Sequence, residues 1–327
     1  MSVYIRSIAA YIPEKRMTND ELAQIVDTSD EWIQSHTGIQ ARHLCGEQEV
    51  TSDLAVNAGK IAMERAGLSP DDIDLVILAT ASPDYIGFPS TSSIVQDKLD
   101  LAHAGAFDLV AGCTGFVYGL ETGRAMITAG SARNVLLIGA ETLSRITNWK
   151  DRNTCVLFGD GAGAAVLSES DDSERGILDS ILGSEGKGAE HLVRKAGGSR
   201  EPFDGEDTPE EDLYIQMNGR QVYNFAVRVN TEIIKSLLER NALEFDQIKW
   251  VVPHQANIRI LQAAANRLKL PMEKFFTNIH EYANTSAASI PIALNEMYET
   301  GKLEAGDTLL LTGFGAGLTY GGNLLRW

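Results

Sequence analysis

One thiol and two polar side chains stand where α/β folds place chemistry. Cys113 follows an apolar, strand-like run and precedes a helical pattern that starts at Thr114. The spacing therefore puts the thiol between a strand end and a helix N-terminus. The partial positive charge of a helix N-terminus favours thiolate, and a stabilisation of about 1–2 kcal/mol lowers a thiol pKa by roughly one unit. A nucleophile belongs in such a place. A buried core thiol, the ordinary fate of a free cysteine, fits the same segment. His254 follows the strand-like KWVVP (249–253) and opens a helical stretch, 255–270, with an apolar stripe through Ile258, Leu261, Ala265 and Leu268. Asn284, in EYANTSAAS (281–289), precedes a small-residue helix. Alone, His254 reads as a satisfied structural histidine and Asn284 as a helix N-cap. Together with Cys113 they read as one site, because duplicated α/β folds gather strand ends at a single crevice.

The elements that must position these residues alternate between strand and helix, which points to an α/β sheet architecture. Segments 75–82, 134–141 and 164–170 read as strands, and 53–67 and 231–243 as amphipathic helices. The helix after Cys113, 114–129, is apolar on nearly all sides, with Gly115, Gly119 and Gly123 along one face. Such a face suits close backbone contact in the centre of a fold and is wasteful on a surface helix. The halves echo each other. Residues 107–141 resemble 276–315 in layout, and 73–84 parallel 248–257. An internal duplication explains this. In that overlay Cys113 matches Asn284, and the division falls between 1–170 and 171–327.

The chain of 327 residues is 44% hydrophobic and carries 30 glycines, in keeping with a well-packed α/β enzyme. Its formal net charge is −17. Nucleic acid is an unsuitable partner, since phosphate binding needs a dense basic surface. Much of the acidity lies in 168–174 and 201–212, which read as solvated loops. Cys45, Cys113 and Cys155 are far apart and odd in number, against a disulfide framework or a cysteine-rich metal site. No signal-peptide pattern and no apolar run of membrane-spanning length is expected, so the cytoplasm is the default compartment.

Two glycine-rich stretches, 158–167 and 312–322, follow strands. Neither opens a helix with an acidic residue about 20 positions on, so a dinucleotide loop is a weak reading. They read better as tight turns between strands, with an N–H beside Cys113 completing an oxyanion hole. The order Cys, His, Asn also fits papain-like proteases, but the local cysteine signature of those enzymes is absent.

Across its length the chain resembles the β-ketoacyl-[acyl-carrier-protein] synthase III family. The resemblance rests on TSDEWIQSHTGIQAR (28–42), AGCTGF (111–116), DRNTCVLFGDGAGA (151–164), HQANIRI (254–260), ANTSAASIP (283–291) and GFGAGLTYG (313–321). It implies a thiolase-like α/β fold, with two duplicated halves stacked in five αβαβα layers, and a homodimer. It implies that Cys113 takes a short acyl group from acyl-CoA and condenses it with malonyl-acyl carrier protein, releasing CO2 and CoA. The backbone N–H groups of Cys113 and Ala316 would form the oxyanion hole. His254, as a neutral donor, and Asn284 would stabilise the enolate. Trp32 and Arg152 match positions that sandwich the CoA adenine, and Thr28 one that bonds it. Gly219 and Asn257 match the pantetheine channel. Arg259 matches a residue at the tunnel mouth serving both CoA and carrier protein, with Arg267 and Lys269 extending the charge. Phe88 matches a residue reaching the partner subunit's acyl pocket. His36 stands where the family usually has Arg, which implies weaker or more pH-dependent CoA phosphate binding. No cofactor or metal is implied, since acyl-CoA is a substrate. A related enzyme priming polyketide synthesis, or a non-catalytic carrier-protein-binding module, are the alternatives. Primer length and branching are not legible.

Overall fold

The computed structural model describes residues 2–327. Two mixed sheets carry the architecture. The first runs in the order Ser2–Tyr11, Gly161–Ser170, Asn134–Glu141, Leu75–Ala79 and Gly105–Leu109. The second runs Gly176–Ser184, Thr319–Arg326, Thr308–Gly315 and Trp250–Pro253. Phe275 extends it through a parallel bridge to Val251. In each sheet two antiparallel pairings are followed by parallel ones. The repeat legible in the sequence is thus a repeat of topology.

Helices Gly115–Thr128 and Ser289–Glu299 lie between the sheets. Helices Thr51–Ala66 and Thr91–Lys98 cover the outer face of the first sheet, and Gly219–Arg240 and Ile258–Leu268 that of the second. The result is five layers, αβαβα. The middle layer explains its own composition. A helix packed on both sides has no wet face, and Phe116, Val117 and Leu120 are fully buried. Each helical glycine costs about 1 kcal/mol relative to alanine. Here a methyl group at Gly115 would sit 2.7 Å from the Ala79 Cβ, and one at Gly123 2.6 Å from Leu167 Cδ1. The lost propensity is exchanged for close approach to the sheet. Leu137, Leu167, Val252, Leu309 and Leu325 join one apolar cluster that spans both halves. Each such side chain, fully buried, contributes about 1.5–3 kcal/mol.

Three expectations need correcting. Most of 158–167 is not a turn but the start of strand Gly161–Ser170. Its glycines admit the helix Ser289–Glu299, since a methyl at Gly163 would meet Pro291 at 2.6 Å. The segment 312–322 is, as expected, a tight turn, Ala316–Leu318, between paired strands. The stretch 168–174 begins inside a strand, where Ser168 is buried and bonded to Asn134, and only its later residues are exposed. The overlay of Cys113 on Asn284 is three residues out of step. The short 3-10 turn Gly112–Thr114 precedes the first central helix, as Ser286–Ala288 precedes the second. The turns open on matching left-handed residues, Gly112 at φ 54° and Ser286 at φ 47°. Ala287 therefore occupies the place of Cys113.

Candidate active site

Both halves deliver their parallel-strand ends to one crevice. Cys113 follows strand Gly105–Leu109, and His254 follows strand Trp250–Pro253. Asn284 is pinned by backbone bonds to the first half, from its N–H to the Leu157 carbonyl at 2.9 Å and from the Gly159 N–H to its own carbonyl at 3.0 Å. Cys113, His254 and Asn284 line one cavity of about 220 Å³, together with Phe158, Phe314 and Gly315. A second cavity of about 160 Å³ opens beside the same sulfur, against Ala81, Leu143, Ile146, Phe158 and Ile215. It is an apolar recess in reach of the thiol.

The thiol does not behave as its helix position alone suggests. Burial pushes Cys113 up to about 12, although the Ser286 hydroxyl and the cysteine's own N–H pull the other way. The helix terminus offers about one unit of stabilisation, and desolvation outweighs it. At rest the residue is a thiol, not a thiolate.

His254 is 1% exposed, and burial pulls its pKa down to about 3, so the imidazole is neutral. Its Nδ1 lies 2.6 Å from the Ser289 hydroxyl. That hydroxyl oxygen also accepts from the Gln255 N–H at 3.4 Å. With Ser289 as the donor to Nδ1, the ring proton sits on Nε2. Nε2 is buried and has no partner. The Asn284 carboxamide oxygen accepts from the Ser286 N–H at 2.9 Å, which turns the NH2 group away from that turn. Two neutral donors thus converge on one cavity. Gly315 presses backbone against Cys113, and a methyl at Gly112 would sit 2.7 Å from the Ala316 nitrogen, so both N–H groups proposed for an oxyanion hole are adjacent.

At the entrance, the two side chains expected to sandwich an adenine lie against each other. Trp32 stacks on His36, with ring centroids 4.4 Å apart and planes at 17°. The Arg152 guanidinium covers the indole at 4.8 Å and donates to the Asp27 carbonyl at 3.1 Å. No slot for an adenine stands open between Trp32 and Arg152. The His36 Nδ1 lies 2.7 Å from the Trp32 carbonyl oxygen. Trp32, His36, Gly219 and Asn257 line the same cavity as the sulfur, whereas Thr28, Arg152 and Arg259 lie outside its lining. The Asn257 amide donates to the His36 carbonyl at 3.0 Å. The Thr28 hydroxyl is buried and unpartnered. Arg259, Arg267 and Lys269 are exposed. Phe88 is 89% exposed and lines neither of the two cavities at the sulfur. Sequence reasoning missed Ser289, Ser286 and Glu141. The hydroxyls stand in plain view in ANTSAAS, and Glu141 is a carboxyl closing an otherwise apolar strand.

Among the described residues no cluster of three or more His, Cys, Asp or Glu is placed to hold a metal ion, and no helix is long and apolar enough to cross a membrane. Family profiles for 3-oxoacyl-[acyl-carrier-protein] synthase III match residues 107–186, and for its C-terminal part residues 238–327. The chain is 50% identical to the β-ketoacyl-[acyl-carrier-protein] synthase III of Caldanaerobacter subterraneus, over 99% of this chain and 97% of the relative. It is 46% identical to that of Clostridium beijerinckii, over 100% and 99%. The crystal structure of the 3-oxoacyl-[acyl-carrier-protein] synthase III of Aquifex aeolicus superposes with a TM-score of 0.92 at 44% identity, covering 100% of both chains.

Proposed function

The chain belongs to the β-ketoacyl-[acyl-carrier-protein] synthase III family, of thiolase-type fold, and from that premise we propose how its residues divide the work. The enzyme performs the initiating condensation of fatty acid synthesis, joining an acyl group from acyl-CoA to malonyl-acyl carrier protein. Cys113 attacks the acyl-CoA carbonyl, and the N–H groups of Cys113 and Ala316 hold the oxyanion. CoA leaves. The malonyl thioester then enters, loses CO2, and its carbanion attacks the acyl-Cys113. During decarboxylation the charge moves to the thioester oxygen, where His254 Nε2–H and the Asn284 NH2 donate. A buried donor left without a partner is costly in the resting enzyme. It costs nothing further when charge appears opposite it, which is how preorganised sites lower barriers. The unpartnered Nε2 of His254 is the observation that carries this reading. The scheme calls for no cofactor.

At the entrance, we assign Thr28, Trp32, His36 and Arg152 to the CoA head, Gly219 and Asn257 to the pantetheine arm, and Arg259 to the mouth. CoA entry then requires Arg152 to leave the indole. Arg259, Arg267 and Lys269 lie on or just after one helix and supply the positive face for an acidic carrier protein. Strand Gly105–Leu109 has a sheet neighbour on one side only, and Val110 beside it is 80% exposed. An open edge flanked by apolar surface suits a second copy of the chain, which would also bring Phe88 to the partner's apolar recess. A cytoplasmic homodimer is the assembly we assign, built from halves 1–170 and 171–327.

The experiment uses acyl-CoA labelled in the acyl group, followed by malonyl-acyl carrier protein. The expected course is a labelled adduct on Cys113, then a labelled 3-oxoacyl product. An adduct on Cys45 or Cys155 refutes the assignment of the nucleophile. A Val110→Lys variant that sediments as the native protein does refutes the proposed edge contact.

A further inference from the structure

The apolar recess beside Cys113 has one charged residue in its wall. Leu143, Ile146, Phe158, Leu192 and Ile215 make much of its surface, and Arg194 stands among them. No aspartate or glutamate lines the recess. Apart from Cys113 and Ser286, Arg194 is its only residue with a polar side chain. An apolar pocket with a few placed polar groups is the ordinary form of a ligand site, and those groups set its specificity.

Arg194 is held but not neutralised. Its Nε donates to the Leu213 carbonyl at 2.7 Å. Among the described residues, neither terminal NH2 group of its guanidinium has a hydrogen-bond acceptor, and no carboxylate pairs with it. The carboxyl groups nearby are engaged elsewhere. Asp212, next to Leu213 in the chain, meets Lys195 at 2.9 Å and accepts from Gln216 at 2.7 Å. Glu141 accepts from the N–H of Ala81, itself part of the recess wall, and from the Ser82 hydroxyl at 2.5 Å. Other half-buried arginines carry a counter-ion: Arg124 meets Glu121 at 2.6 Å, and Arg326 meets Glu174 at 3.0 Å. Arg194 is half-buried too, and burial without a compensating partner pulls its pKa down. A cation taken partly out of water and left unpaired is costly until an anion meets it.

We propose that Arg194 makes this recess selective for an acyl group with a carboxylate at its far end, delivered as the CoA half-thioester of a four-carbon dicarboxylic acid. The inference rests on Cys113 being the acylated residue, and deepens that reading. The size agrees. A recess of about 160 Å³ holds about five groups of about 30 Å³ each. Beyond the acyl carbon of such a diacid lie two methylenes and a carboxylate, about five non-hydrogen atoms, counted against that same volume. The methylenes suit the apolar wall, and a guanidinium fork matches a carboxylate. Loading is the thioester exchange already described. The Cys113 sulfur bonds to the acyl carbon, and the bond to the CoA sulfur breaks. CoA leaves as the thiol, with the proton that Cys113 gave up. The far carboxylate is unchanged.

The test compares succinyl-CoA with 4-methylpentanoyl-CoA, in which an isopropyl group of the same shape replaces the carboxylate. Acetyl-CoA is the reference. Single-turnover loading at subsaturating acyl-CoA is read by mass spectrometry on the native protein and on Arg194→Leu. A charge-assisted pair favours its ligand by about 10- to 10²-fold. The native protein is therefore expected to load succinyl about 10- to 10²-fold faster than 4-methylpentanoyl, and Arg194→Leu to lose or reverse that preference. Both rates come from one preparation, so poor folding of the variant lowers them together and leaves their ratio intact. A native protein that loads the two equally overturns the proposal, and so does an Arg194→Leu variant that keeps the native ratio. Should the variant not fold at all, the native ratio decides. If acetyl-CoA labels a residue other than Cys113, the nucleophile assignment falls and the selectivity with it. An acetyl group on Cys113 without any preference for the carboxylate sinks the selectivity alone.

Discussion

Replacing Ser289 with alanine asks whether His254 works as a neutral donor locked in one tautomer. The Ser289 hydroxyl gives His254 Nδ1 its only hydrogen bond, at 2.6 Å, in a fully buried setting. Losing a buried hydrogen bond costs about 1–2 kcal/mol, or about five- to thirtyfold in rate where the whole effect falls on the transition state. Without it the ring proton shifts between the two nitrogens and the donor is misplaced part of the time. Removing the imidazole itself, in His254→Ala, deletes the donor and costs about 10²–10³. Ser289 also accepts the long bond from the Gln255 N–H, but it reaches the chemistry through His254, so the double variant should be no slower than His254→Ala. The assay is CO2 release from malonyl-acyl carrier protein by enzyme already acylated on Cys113. Penalties that multiply in the double variant would refute the argument, because Ser289 would then be acting on something other than the imidazole.

Further outcomes follow from the same geometry. Asn284→Ala should acylate Cys113 at the native rate while malonyl decarboxylation falls about 10²–10³-fold; native decarboxylation refutes its role. His254 sits folded at about 3 and unfolded near 6.5, so the unfolded chain gains a proton first as pH falls, and stability is lost through that window. Between pH 6.5 and 5 the native protein should lose about 2 kcal/mol more than His254→Asn, measured by denaturant titration. A variant with an equally steep acid limb contradicts that sign. Gly139→Ala places a methyl group against the Ala287 carbonyl, whose turn carries Ser286. It should destabilise the fold by about 1–3 kcal/mol and slow acylation; an unshifted thermal midpoint means the backbone gives way freely.

Much of this was legible in the chain. The all-apolar helix with glycines at 115, 119 and 123 announces a central position, because no surface helix tolerates that composition. The strand-end placement of Cys113 and His254 follows from local pattern as well. The thiol's protonation state does not, since a helix terminus is a local feature and desolvation depends on everything packed around the sulfur. The same holds for Glu141, which looks like the wet end of a strand until Ala81 and Ser82 close over it. Trp32 and His36 are four apart on helix Asp30–Thr37, but Arg152 joins their stack from a distant segment, and no periodicity reports that.

The sulfur hangs from one half of the chain and the donors from the other, with two closely packed helices wedged between the sheets that carry them. The gap between nucleophile and donors is therefore a thickness. Swelling or thinning that wedge by one methyl group would detune the chemistry with every reacting side chain intact. Variants far from the crevice, on the buried flanks of those helices, should thus reveal themselves as kinetic lesions before they register as folding defects.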